Sequence, residues 1–152
     1  MKLAESLQER ADLNRKLEEL KQRLLSNCLV QEGDAPAEDP KQLLRELDAA
    51  ADRLRALMAA INQTNSRIVV EGKTLTEWIA EKDVLNARLA IYRALAGEAA
   101  QTAPRARGTE IRIVPTLRVA ELQKTADALA KRLREVDNLL QATNWTTELI
   151  EE

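Results

Sequence analysis

The sequence contains no histidine and no phenylalanine, and its single cysteine is Cys28. Without an imidazole there is no Ser-His-Asp triad, no Cys-His pair, no Glu-x-x-His di-iron motif and none of the usual zinc ligand sets. No catalytic residue, metal or cofactor is therefore expected, and the chain reads as a non-enzyme. One thiol forms no internal disulfide and suits a reducing compartment. The four glycines, Gly33, Gly72, Gly97 and Gly108, stand far apart, so no Gly-rich loop is available to cradle a phosphate. No run of 18 apolar residues occurs, and the first 30 residues alternate Leu with Glu, Lys and Arg. Neither a membrane span nor secretion is expected, and the cytoplasm is the expected location. With 23 basic and 25 acidic residues interspersed and a net charge of −2, no global field favours nucleic acid.

Leu and Ala dominate the apolar 45% of the chain, and 152 residues suit one domain with one core. Leu13, Leu17, Leu20 and Leu24 recur on one face of a predicted helix over 2–25, interrupted by Ser6 and Arg10 towards its start. Asp39-Pro40 supplies an N-cap and a first-turn proline for a second helix over 40–65. Its stripe is read as Leu44, Leu47, Ala51, Leu54, Met58 and Ile61, widened by Leu43, Ala50 and Leu57. A β-branched piece, Ile68 to Val70, and a Glu71-Gly72 turn precede Thr74-Leu75-Thr76-Glu77, which has capping-box spacing for a helix over 75–97. The last helix, 116–143, has the cleanest repeat: Val119, Leu122, Ala126, Leu129, Leu133, Val136 and Leu140. Similar helix lengths favour an all-α, antiparallel four-helix bundle with short strand-like segments in its loops, forming a single domain over 1–152. In that arrangement Leu29 to Gln31 is placed to pair with Ile111 to Val114.

Several groups of residues point towards contacts. The inner stripe of the third helix, Leu75, Trp78, Leu85, Leu89, Tyr92 and Ala96, is broken only by Lys82. Val84, Ile91 and Leu95 form a second stripe roughly 100° around the same helix. A bundle helix needs one apolar face, so these three are a candidate oligomer face and a homo-oligomer is expected. The far end of the bundle collects Asn62, Asn65, Trp78, Asn144 and Trp145, either as caps and a plug or as a polar pocket with aromatic walls for a small ligand of unknown identity. At the other end Arg105, Arg107 and Arg112 form a candidate loop for an anion or an acidic partner. Glu18, Glu19, Glu46 and Asp48 lie among Arg and Lys and read as solvated faces. Cys28, with no basic cluster near it in sequence, reads as a small buried hydrophobe.

The pieces Met1-Lys2-Leu3-Ala4-Glu5, Leu29-Val30-Gln31-Glu32-Gly33, Glu38-Asp39-Pro40, Ile61 to Asn65, Val114-Pro115 and Asn144-Trp145-Thr146-Thr147-Glu148-Leu149 resemble the septicolysin-like family of small bacterial proteins. The resemblance implies a helical fold and lends no catalytic residues. Its name implies a membrane-active, haemolysin-like protein. That reading stands as the alternative to a structural or interaction protein, alongside a ligand binder at the Asn/Trp end.

Overall fold

The computed structural model describes residues 1–101 and 111–151. The chain is all-α in character. It has four long helices, α1 (Leu3–Asn27), α2 (Pro40–Arg67), α3 (Leu75–Ala99) and α4 (Val119–Thr146), with a short antiparallel strand pair, β1 (Val69–Val70) and β2 (Lys73–Thr74), between α2 and α3. The residues group into two compact units, Met1–Leu75 with Ala142–Glu152, and Thr76–Gln141.

In the first unit α1 and α2 pack as an antiparallel hairpin. Asp39 caps α2 by accepting from the Lys41 N–H at 3.0 Å, with Pro40 at the first helical position where no amide is needed. The inward faces are Leu3, Ala4, Ser6 and Leu20 on α1 and Leu43, Ala50, Leu54, Leu57 and Ile61 on α2. The predicted α2 stripe holds at Leu54 and Ile61 and is set one residue back at Leu44, Ala51 and Met58. Leu44, Ala51 and Met58 are exposed, and the widening positions Leu43, Ala50 and Leu57 are the buried ones. Ser6 does not interrupt the core. It is fully buried and its hydroxyl donates to the Leu3 carbonyl at 2.6 Å, which removes most of the cost of burying it. Two ion pairs cross the hairpin: Arg53 Nε donates to Glu9 at 2.6 Å, and Arg23 grips Glu38 through Nε and Nη2. Asn27 closes the α1–α2 connection by accepting from the Glu38 N–H at 3.0 Å while donating to the Arg23 carbonyl.

The C-terminal segment completes this unit. The Leu3 N–H donates to the Thr147 carbonyl and the Leu149 N–H to the Met1 carbonyl, a bridge pairing Lys2 with Glu148. Glu148 also receives the Lys2 ammonium and, at 3.4 Å, the chain's amino group. Thr64 pins the segment to α2: its hydroxyl, fully buried, donates to Ala60 and accepts from the Ile150 N–H at 2.9 Å. Glu71 and Gly72 both have positive φ, 49° and 81°, which gives the mirror-image two-residue turn that twists correctly for a hairpin.

In the second unit α3 and α4 run antiparallel. Leu85, Leu89 and Ala96 face inward from α3, and Leu122, Ala126, Leu129, Val136 and Leu140 from α4, as the clean repeat predicts. Lys82, the break in the inner stripe of α3, is matched across the pair, where its ammonium donates to Asp137 at 2.6 Å. Arg132 does the same for Glu81 at 2.8 Å and lies 5.6 Å from the Trp78 ring centroid, a cation–π contact. Residues 111–115 have no regular structure, and neither they nor Leu29–Gln31 form a strand. The strand character expected of both segments is therefore not found.

Candidate interaction surface

The outer side of α3 carries the feature with the clearest functional content. Val84 is 58% and Ile91 59% exposed, and Leu95 is exposed beside them. Ala80, Ala87 and Ala94 are exposed on the same side. Together Ala80, Val84, Ala87, Ile91 and Ala94 alternate at spacings of four and three, so they form one seam at coiled-coil spacing. Sequence reading found its large residues and passed over the alanines, which look neutral until their exposure is known. Asp83 and Arg88 border the seam, both exposed.

The seam runs into an open groove of about 260 Å³ lined by Leu95, Ala99, Ile113, Val114, Pro115 and Leu117, among others. Ile113, Val114 and Leu117 are exposed apolar residues, and Ile111 is 74% exposed next to them. Arg112 is exposed in this segment, whereas Arg105 and Arg107 lie outside the described residues.

The Asn/Trp set draws on both units. Trp78 belongs to the second unit, where it is 4% exposed and packed beneath Arg132. Asn62, Asn65, Asn144 and Trp145 belong to the first, with Asn62 exposed, Asn65 and Asn144 half-buried and Trp145 52% exposed. Trp78 is thus a buried side chain with Arg132 over its ring. Cys28 is exposed rather than buried. It follows Asn27, which faces inward, and one residue further around the helix end turns its side chain outward, where Sγ lies 3.3 Å from the Leu25 carbonyl.

A second exposed stripe, not recognised in the sequence, lies on α2. Leu44, Asp48, Ala51, Arg55, Met58 and Asn62 follow the same four-three spacing, all exposed. Its apolar members were read as core because each sits next to a true core residue. Before α2, the connection 29–39 carries Glu32, Asp34, Glu38 and Asp39 and no base, with Leu29 86% exposed at its start.

Three carboxylates held in ion pairs of the first unit have displaced titrations. The Arg53 hydrogen bond holds Glu9 below the usual carboxylate range, Arg23 does so for Glu38, and Lys2 followed by the terminal amine for Glu148. These are partners in structural contacts. Among the described residues no three His, Cys, Asp or Glu side chains are grouped to hold a metal, and no helix is long and apolar enough to cross a membrane.

No curated protein matches this chain. It is similar to a functionally unknown conserved protein from Corynebacterium diphtheriae, known from a crystal structure. The two are 39% identical over 99% of each chain, with a TM-score of 0.93. Residues 10–149 match the model of a family of unknown function, DUF6847, and the chain belongs to that family.

Proposed function

We propose that this is a non-enzymatic helical interaction protein of the cytoplasm that works as a homo-oligomer, assembled through the outer seam of α3. The observation that carries the reading is the exposed Ala80–Val84–Ala87–Ile91–Ala94 seam with Leu95 at its edge, continuous over about four turns. The helix already has an inner face packed with α4. A second stripe at the same period buries nothing in one chain, and leaving Val and Ile in water forgoes about 1.5–3 kcal/mol per side chain relative to burial. Helices of one chain bring such a stripe to another helix by knobs-into-holes packing.

The test is light scattering after size exclusion. The protein is expected to elute as a discrete multiple of 17.0 kDa, and the Val84→Glu/Ile91→Glu variant at the single-chain mass, with unchanged helicity by circular dichroism. A single-chain mass for the unsubstituted protein at every concentration, or a variant that keeps the assembled mass, removes this reading.

A further inference from the structure

The exposed α3 seam is complementary to itself. Its members alternate small and large along the helix, Ala80, Val84, Ala87, Ile91 and Ala94. We infer that this seam packs antiparallel against the same seam of a second copy, about a two-fold axis at the level of Leu85 and Asn86, with Val84 over Ala87 and Ile91 over Ala80. The pairing rests on the self-association proposed above and names what covers the seam. Only α3 of each copy takes part in it.

Side-chain size sets the orientation. Two helices pack closely along their length only where successive layers fill similar widths. In the antiparallel pair each central layer holds one alanine and one β-branched side chain. Val84 meets Ala87, Ile91 meets Ala80, and the two-fold axis repeats both contacts. Ala94 meets the exposed Glu77 at each rim. The overlap runs from Leu75 to Ala96 on both copies, about six turns. In a parallel pair like meets like. Ala80, Ala87 and Ala94 would then each face its own copy across a gap held open by Val84 and Ile91, and alternate layers would lose their packing contacts.

Charge sets the register. In an antiparallel pair the residues along one edge of the seam face the same edge of the other helix. Glu81, Arg88 and Leu95 form one edge, and Asp83, Ala90 and Gly97 the other. The pairing places Glu81 beside Arg88 twice and Asp83 beside Ala90 twice. Arg88 is exposed and makes no ion pair among the described residues, whereas Glu81 already accepts from Arg132 at 2.8 Å. Arg88 of the other copy thus extends the Glu81–Arg132 pair. Sliding one helix by a heptad in one direction sets Arg88 beside its own copy, and in the other direction sets Glu81 beside its own copy. Both slips oppose like charges, so one antiparallel register remains. A parallel pair would match Asp83 with Arg88, and there the layers, not the charges, decide. Such edge pairs guide register more than they add affinity. The seam fits itself in size and in charge, so its occupant is a second copy, and an interface that meets itself is isologous and closes at two chains.

The experiment uses the full chain with Cys28→Ser and compares Ala80→Cys, Ile91→Cys, the double substitution and an equimolar mixture of the two single variants. Samples are combined reduced, oxidised at low concentration and run on a denaturing, non-reducing gel, with light scattering and circular dichroism in parallel. Positions 80 and 91 lie about 16 Å apart along the helix, beyond the reach of a disulfide within one chain. A band at twice 17.0 kDa from the double variant and from the mixture, and from neither single variant alone, is the expected result. A band from both single variants means parallel pairing, and a band from one of them means a slip by a heptad. Either result, or no band in a protein that scatters as a discrete multiple, overturns the pairing and leaves self-association through α3 standing. A single-chain mass throughout overturns both. As a second arm, Arg88→Glu is expected to weaken dimerisation about fivefold or more and Asp83→Lys to leave it within about twofold. Equal weakening by the two contradicts the antiparallel edge contacts and with them the proposed register.

Discussion

Thr64 occupies a position where a hydroxyl is required on both sides. Buried on α2, it satisfies the Ala60 carbonyl and receives the Ile150 amide that anchors the C-terminal segment. Thr64→Val keeps the shape and strands that amide, so it is expected to cost about 1–2 kcal/mol in urea unfolding and to speed hydrogen exchange at Ile150, while Thr64→Ser retains most of the stability. Glu71 is the opposite case, a side chain at φ 49° with no steric reason to be there. Glu71→Asn is expected to stabilise the protein by about 0.5 kcal/mol in the same assay. Glu9, Glu38 and Glu148 titrate below the ordinary carboxylate range because Arg53, Arg23 and Lys2 hold their charged forms. Their folded values lie below the unfolded ones, so the stability they add is complete above about pH 5 and lost as pH falls through and below about 4. Replacing the three by Gln is expected to flatten the acid limb of a stability–pH curve, and an unchanged limb contradicts the assignment. Buried Ser6 and Thr64 were not legible in the sequence. Each hides its hydroxyl against a carbonyl three or four residues back, which makes a polar residue fit an apolar face.

At the scale of the helix, what the sequence showed depended on how many apolar stripes the helix carried. The last helix has one, and its inward residues agree with the repeat. On α2 the pairs Leu43-Leu44, Ala50-Ala51 and Leu57-Met58 offer two adjacent stripes of equal period, and only the position of α1 decides between them. Leu57→Ala is accordingly expected to cost about 2–5 kcal/mol, whereas Met58→Ala at an exposed site is expected to change single-chain stability by less than about 0.5 kcal/mol. Equal losses contradict the register. The ends of helices were read to within three residues, because Asp39-Pro40 and the Glu71-Gly72 turn punctuate the chain chemically. The pairing of the N-terminus with residues 147–149 had no such signal, since it joins the two ends of the sequence through backbone groups alone.

For the whole molecule, the two compact helical units each leave a stripe uncovered, apolar on α3 in the second and, on α2 in the first, alternating Leu44, Ala51 and Met58 with Asp48, Arg55 and Asn62. The exposure of Val84, Ile91 and Leu95 was legible because a second stripe has no use inside a helix pair. The exposure of Leu44, Ala51 and Met58 on α2 was not, because those residues doubled as plausible core. The Asn/Trp end was read in the sequence from a bundle geometry, and the contact of Trp78 with Arg132 had no signal there. The most direct measurement is the solution mass of the protein, by light scattering coupled to size exclusion across a range of concentrations. A discrete multiple of 17.0 kDa, reduced to 17.0 kDa by Val84→Glu/Ile91→Glu without loss of helicity, is the expected result. A mass of 17.0 kDa at every concentration would contradict assembly as the property these helices encode.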